Sequence, residues 1–108
     1  MQGGTPSRLS PAYYGAAKAG VLAFTNVLAQ ELAPHAVTVN AVAPGATMSG
    51  RFRRLRSDDG IEALRRRIPL GRIFSAYEQA QVILFLASES AAYITGATLD
   101  VNGGSVML

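Results

Sequence analysis

The chain has no cysteine, so it can build neither a disulfide framework nor a thiolate metal site. Charge is scarce as well: 16% of its 108 residues are charged, against 49% hydrophobic. A chain so poor in solvating groups has elements covered on both faces, or surfaces meant for a partner. Histidine occurs once, as His35, in the turn after Pro34. With no acid or nucleophile motif beside it, His35 makes no triad and reads as an exposed loop residue. Lysine also occurs once, as Lys18, and the other nine basic residues are arginines. The net charge of +3 comes mostly from arginines at 51–56 and 65–67, too modest and too local to argue for nucleic acid. Phe52 is the one aromatic among those arginines, too little to form a stacking platform for bases. No apolar run reaches the roughly 18 residues of a membrane span. The first eight residues lack the apolar core of a signal peptide. These absences predict a soluble, cytoplasmic protein that contacts neither membrane nor nucleic acid. The length predicts one domain, or part of one, with a thin core.

What is present alternates between helix and strand signals. Residues 1–10 are rich in Gly, Ser, Thr and Pro and read as a loop. Ser10-Pro11 is a helix start, with Ser as N-cap and Pro at the first helical position. The helix is expected over 11–33 and stops before Pro34. One face carries Ala17, Val21, Phe24, Leu28 and Leu32; another is small, with Ala16, Gly20 and Ala23. Residues 36–43 are uncharged and β-branched at Val37, Thr38, Val39 and Val42, the pattern of a strand covered on both faces. A helix leading into such a strand is half of a crossover unit, which predicts a parallel sheet. Asn40, in mid-strand, needs partners for its amide and reads as structural.

Ligands of parallel sheets bind beyond the carboxyl ends of the strands. That puts residues 44–72, and Pro44 to Ser49 first, where a cofactor or substrate would lie. Within this loop, Ser57-Asp58-Asp59-Gly60 breaks the chain and Ile61 to Ile68 reads as a short helix. The arginine-rich stretch reads two ways, as a solvated segment or as a lid over a substrate. Pro69 to Arg72 is a turn. Ser75 and Glu78 form a capping box that opens an almost wholly apolar helix over 75–88. A last strand is expected over 97–101. Asn102-Gly103-Gly104 then allows a turn with positive φ, and 105–108 is an apolar tail.

The organising stretch is Tyr14-Gly15-Ala16-Ala17-Lys18. Residues four apart on a helix share a face, one turn apart. An ammonium near a phenol favours the phenolate and lowers the phenol's pKa from about 10. A tyrosine so placed serves as a general acid or base near neutral pH. Two further segments keep it company, Val37 to Gly45 and Ala92 to Gly104. The three motifs, in this order, resemble the C-terminal portion of the classical short-chain dehydrogenases/reductases, closest in look to 3-oxoacyl-carrier-protein reductases.

The resemblance implies an α/β fold: the C-terminal part of a Rossmann-type, doubly wound parallel sheet, with the catalytic helix, the last two strands and flanking helices. It implies an enzyme that uses NAD or NADP to move a hydride between nicotinamide and a carbonyl or alcohol. In it Tyr14 is the general acid/base and also meets the cofactor. Lys18 lowers the tyrosine pKa and binds the nicotinamide ribose. Pro44 and Gly45 pack beside the nicotinamide, and the backbone at Thr47 meets the carboxamide. Ser49 stands where a threonine usually contacts the amide or the phosphates. Arg51, Arg53, Arg54 and Arg56, on the lid, would favour an anionic or carrier-bound substrate. The tyrosine-bearing helix implies a homo-oligomer, dimer or tetramer. No metal is implied.

The resemblance also defines what this stretch lacks. Gly3-Gly4 is not followed by a dinucleotide-binding pattern, so the N-terminal nucleotide-binding half is expected to be absent. The catalytic serine is expected thirteen or fourteen residues before Tyr14, at or just before Met1. The alternative is a truncated, non-catalytic scaffold that keeps only the association surface of the helix. The 108-residue chain by itself is predicted to bind cofactor poorly and to turn over NAD(P)H negligibly. A spectrophotometric assay checks this, and robust turnover by the isolated chain would refute it.

Overall fold

The structure, a computed structural model, describes residues 12–105. The expected loop over 1–10, the Ser10-Pro11 helix start and the last three residues of the tail lie outside the described residues, as does the Tyr14 side chain. Four helices and four short strands follow in order: α1 (Ala12–Leu32), β1 (Ala41–Pro44), β2 (Thr47–Met48), α2 (Gly50–Leu55), α3 (Asp58–Arg67), β3 (Phe74–Ser75), α4 (Ala76–Leu86) and β4 (Thr98–Val101). The class is α/β with parallel strands, as expected. The chain divides into two compact units.

The first unit holds residues 12–41 and 95–97. Alanine and leucine are the commonest residues of α1, and both are good helix formers. Thr25 is buried and returns its hydroxyl to the Val21 carbonyl at 2.7 Å, which satisfies a polar group that would otherwise be stranded. Pro34 ends α1 by removing a donor, and a 3-10 turn over Ala33–His35 tightens the exit. Ala36 then takes the left-handed conformation, φ 61°, and its N–H reaches back to the Ala33 carbonyl. Ala29, 3% exposed, lies below Gly96, where an added Cβ would come within 3.6 Å of its own.

The strand expected over 36–43 is shorter: regular pairing begins only at Ala41. Side chains occupy the hydrogen bonds that a ladder would use before that point. The Val39 N–H donates to Thr95 Oγ1 at 3.0 Å, and the Ala97 N–H donates to Asn40 Oδ1 at 3.0 Å. Between them the Gly96 N–H donates to the Val39 carbonyl at 2.7 Å. Asn40 thus acts as a structural clamp.

The second unit holds residues 42–94 and 98–105. β1 lies beside β4 in one two-stranded sheet, and β2 beside β3 in another. The β2–β3 pair is parallel, with Thr47 opposite Phe74 and Met48 opposite Ser75. Ser57 does not break the helical segment but starts it: its hydroxyl accepts from the Gly60 N–H and caps α3. Asp58 and Asp59 fill the first turn and Arg65 to Arg67 the last, each sign opposing the helix dipole. The helix expected over 75–88 spans Ala76–Leu86, because Ser75 and Ala87 are its caps. The capping box is formed in both directions: the Glu78 N–H donates to Ser75 Oγ and the Ser75 N–H donates to Glu78 Oε1, each at 3.0 Å. The last strand starts at Thr98, one residue later than expected.

The core is thin. Among the described residues only Ala29, Ile68 and Ala91 are buried apolar side chains. Val21, Phe24 and Val27 on α1 and Ile83, Leu84 and Phe85 on α4 stay exposed, Phe24 at 64%. Replacing Asn40 by Ala should leave the Ala97 N–H without its acceptor, at a cost of about 1 kcal/mol. Amide exchange at Ala97, followed by NMR, should then be several-fold faster, with α4 amides unchanged.

Candidate functional site

Local packing fixes the segment after β1. Pro44 is exposed and Gly45 half-buried. The Gly45 N–H donates to the Val101 carbonyl at 2.8 Å, which seats it against the end of β4. A Cβ on Gly45 would stand 3.0 Å from Asn102 Cβ and 3.1 Å from Asn102 Cα. Backbone yields less readily than a flexible side chain, so any larger residue here would have to push the Asn102 turn aside by a few tenths of an ångström. Thr47, half-buried in β2, donates its hydroxyl to the Gly45 carbonyl at 3.2 Å, with Gln79 Oε1 at 3.4 Å as a second acceptor. That spends the single hydroxyl proton on acceptors of the chain itself.

Ser49 has a structural task as well. Its hydroxyl caps α2 by accepting from the Phe52 N–H at 3.1 Å. A capping hydroxyl still holds its own proton, so the exposed Ser49 keeps a donor for a ligand. A cleft of about 480 Å³ opens beside it, lined by Thr47, Ser49, Arg51, Phe52, Leu55 and Arg56. That volume lies within the usual range for small-molecule sites. The Arg56 guanidinium sits over the Phe52 ring, 4.8 Å from its centre.

Arg51, Arg53, Arg54 and Arg56 are all exposed. The second basic cluster differs. Arg65 and Arg66 both pair with Glu62, and Arg65 also donates to the Gly71 carbonyl at 3.0 Å. It braces α3 and the turn that follows it.

Residue spacing gives no warning of Arg72–Glu78. By sequence Arg72 belongs to a turn and Glu78 to a cap, and six residues is no helical repeat. The two meet in a two-pronged pair, with N–O distances of 2.7 and 2.6 Å. Arg72 first, and the Ser75 N–H second, hold the Glu78 carboxyl down at about 2. The same pairing pushes the Arg72 guanidinium upward. Gln79, the Thr47 partner, likewise reads only as the start of an apolar helix; its partner lies 32 residues away, beyond any local pattern.

In the first unit, α1 carries Tyr14 and Lys18 four residues apart, hence one turn apart on one face. Lys18 is exposed. His35 is exposed too, in the 3-10 turn. Among the described residues no three His, Cys, Asp or Glu side chains gather to hold a metal ion. No described helix is long and apolar enough to cross a membrane.

A family model described as enoyl-(acyl carrier protein) reductase matches residues 3–106. The 3-oxoacyl-(acyl-carrier-protein) reductase of Pseudomonas aeruginosa is 53% identical over 94 residues, covering 87% of this chain and 38% of that one. The enzyme of the same name from Escherichia coli is 47% identical over 105 residues, 97% of this chain and 43% of that one. An acetoacetyl-CoA reductase from an Acinetobacter strain is 41% identical over 104 residues, 96% of this chain and 42% of that one. The chain belongs to the short-chain dehydrogenase/reductase family. It spans about two fifths of the length of the curated relatives it matches.

Within the second unit, the Ser49 hydroxyl proton and the backbone beyond the carboxyl end of β1 are donors of the kind a dinucleotide takes up. The electrostatics yield a direct check on the Arg72–Glu78 pair. A carboxyl pKa lowered in the fold contributes stability above the ordinary glutamate range and loses it as pH falls. The loss should therefore fall between pH 4.5 and about 2. Carboxyl-carbon NMR should find Glu78 titrating near 2 in the natural chain. In Arg72→Ala it should return toward the usual glutamate value of about 4.3.

Proposed function

We propose that these residues serve an NAD(P)-dependent oxidoreductase that reduces a carbonyl, or oxidises the matching alcohol, through Tyr14. The observation that carries the reading is the Tyr14–Lys18 pair on one face of α1 in a chain of this family. The relatives' names point to the substrate class. 3-Oxoacyl chains on a carrier protein and acetoacetyl-CoA share a ketone two carbons from a thioester.

Bound nicotinamide would supply or accept the hydride. Tyr14 would give its phenolic proton to the carbonyl oxygen as negative charge develops there, and take it back in the reverse direction. The Lys18 ammonium would favour the phenolate and hold the ribose hydroxyls. Pro44 and Gly45 would pack beside the nicotinamide, the Thr47 backbone would meet its carboxamide, and Ser49 would donate to the amide or a phosphate. The four arginines at 51–56 would favour an anionic or carrier-bound substrate. The proposed setting is the cytoplasm.

The exposed Val21, Phe24 and Val27 support a homo-oligomer, dimer or tetramer. The same observation supports the second reading, a scaffold that associates without catalysis.

Tyr14→Phe separates the two. It should be made in the protein as its cell produces it and assayed with NADH, NADPH and a 3-oxoacyl thioester. An enzyme should lose about 10²- to 10⁴-fold in kcat, the span that general acid–base catalysis supplies. Helix content and sedimentation should stay unchanged. Undiminished turnover in Tyr14→Phe would remove the tyrosine from the mechanism. No turnover in either protein, with association intact, would favour the scaffold.

A further inference from the structure

Three asparagines occur in the chain, and each has a different residue on its C-terminal side. Asn26 precedes Val27 and Asn40 precedes Ala41, while Asn102 precedes Gly103. Asparagine is thermolabile because the peptide nitrogen of the next residue can attack its side-chain carbonyl carbon. Glycine leaves that nitrogen unshielded, having no Cβ.

The turn prepares this attack. Asn102 Oδ1 accepts from the Gly104 N–H at 3.0 Å, so the side chain is folded back along the next two peptides. The same bond draws electron density from the amide carbon. Asn102 and Gly103 are half-buried, and both line a cavity of about 260 Å³ that gives water access.

We propose that Asn102 is a site of spontaneous deamidation, and that the fold accepts one of its two products and rejects the other. The Gly103 nitrogen loses its proton to solvent base and bonds to Asn102 Cγ. The Cγ–Nδ2 bond breaks as Nδ2 takes a proton back from solvent, and ammonia leaves, closing a succinimide. Water then adds to one of the two imide carbonyls. Opening at Cγ gives aspartate, and opening at the main-chain carbonyl gives isoaspartate. No oxidant or reductant takes part.

The aspartate keeps the backbone of the turn and still accepts from the Gly104 N–H, now as a stronger, charged acceptor. The net charge falls from +3 to +2, ten basic residues against eight acidic instead of seven. The isoaspartate threads Cβ into the main chain. There is little slack for that: the Asn102 Cα and Cβ already stand 3.1 and 3.0 Å from the Cβ position of Gly45. The lengthened backbone must displace Gly45 or give up two bonds, Gly45 N–H to Val101 and Leu70 N–H to the Gly103 carbonyl. Damage at Asn102 would thereby reach the loop after β1.

The test is ageing of the full chain in mildly alkaline buffer, then tryptic digestion. Peptide 73–108 carries Asn102, and peptide 19–51 carries Asn26 and Asn40, so each sample holds its own control. Peptide 73–108 should gain one mass unit an order of magnitude faster than peptide 19–51, with fragmentation placing the change on Asn102. Asn102→Gln should abolish the gain. Labelling by an isoaspartyl methyltransferase should concentrate in the aged fraction that has lost helical ellipticity, and Asn102→Asp should keep the ellipticity of the starting chain. Equal rates in the two peptides would overturn the site. Isoaspartate spread evenly through the folded fraction, or collapse of Asn102→Asp, would overturn the discrimination between products.

Discussion

The contact between Gly45 and the backbone of Asn102 is the constraint on which the second unit turns. It brings the ends of β1 and β4 together so closely that a side chain between them would have to push the turn aside. The Gly45 N–H to Val101 bond and the Thr47 hydroxyl on the Gly45 carbonyl then fix the chain on either side. From there Thr47 faces Gln79 at the start of α4, and the Ser75 and Arg72 contacts of Glu78 hold that helix end in place. A single missing methyl group thus sets where the loop beyond β1 begins.

Much of this is legible in the chain, where local chemistry decides. The end of α1 follows from Pro34, and the α4 start from Ser75 and Glu78. The α/β class follows from a helix feeding an uncharged, β-branched run. Three features are not legible. Ser57-Asp58-Asp59-Gly60 has the composition of a turn and equally that of a capped, acidic first turn, and only the Gly60 N–H on Ser57 Oγ decides between them. The run from Val37 to Asn40 has a strand's composition, yet Thr95 and Asn40 side chains stand where a ladder would. Arg72 and Gln79 find their partners through the fold and not through any repeat. The site residues divide the same way. Tyr14 and Lys18 are proposed from their spacing alone, whereas the capping task of Ser49 depends on where α2 begins.

The composition also foretells an incomplete interior. A chain with so few charges leaves large apolar side chains in water when only three apolar residues are buried among those described. Covering one such side chain contributes about 1.5–3 kcal/mol. The exposed residues of α1 and α4 therefore represent a large driving force that intramolecular packing leaves unused.

The strand layout carries a practical consequence. Each described strand pairs with one other, so every one of them is an edge, and the longest span four residues. An unpaired edge offers a row of donors and acceptors to any extended chain that meets it. Beside exposed Ile83, Leu84 and Phe85, such edges invite intermolecular strand addition and precipitation. Handled alone and in concentrated form, this stretch of polypeptide should behave as a colloidal problem before it behaves as a biochemical one.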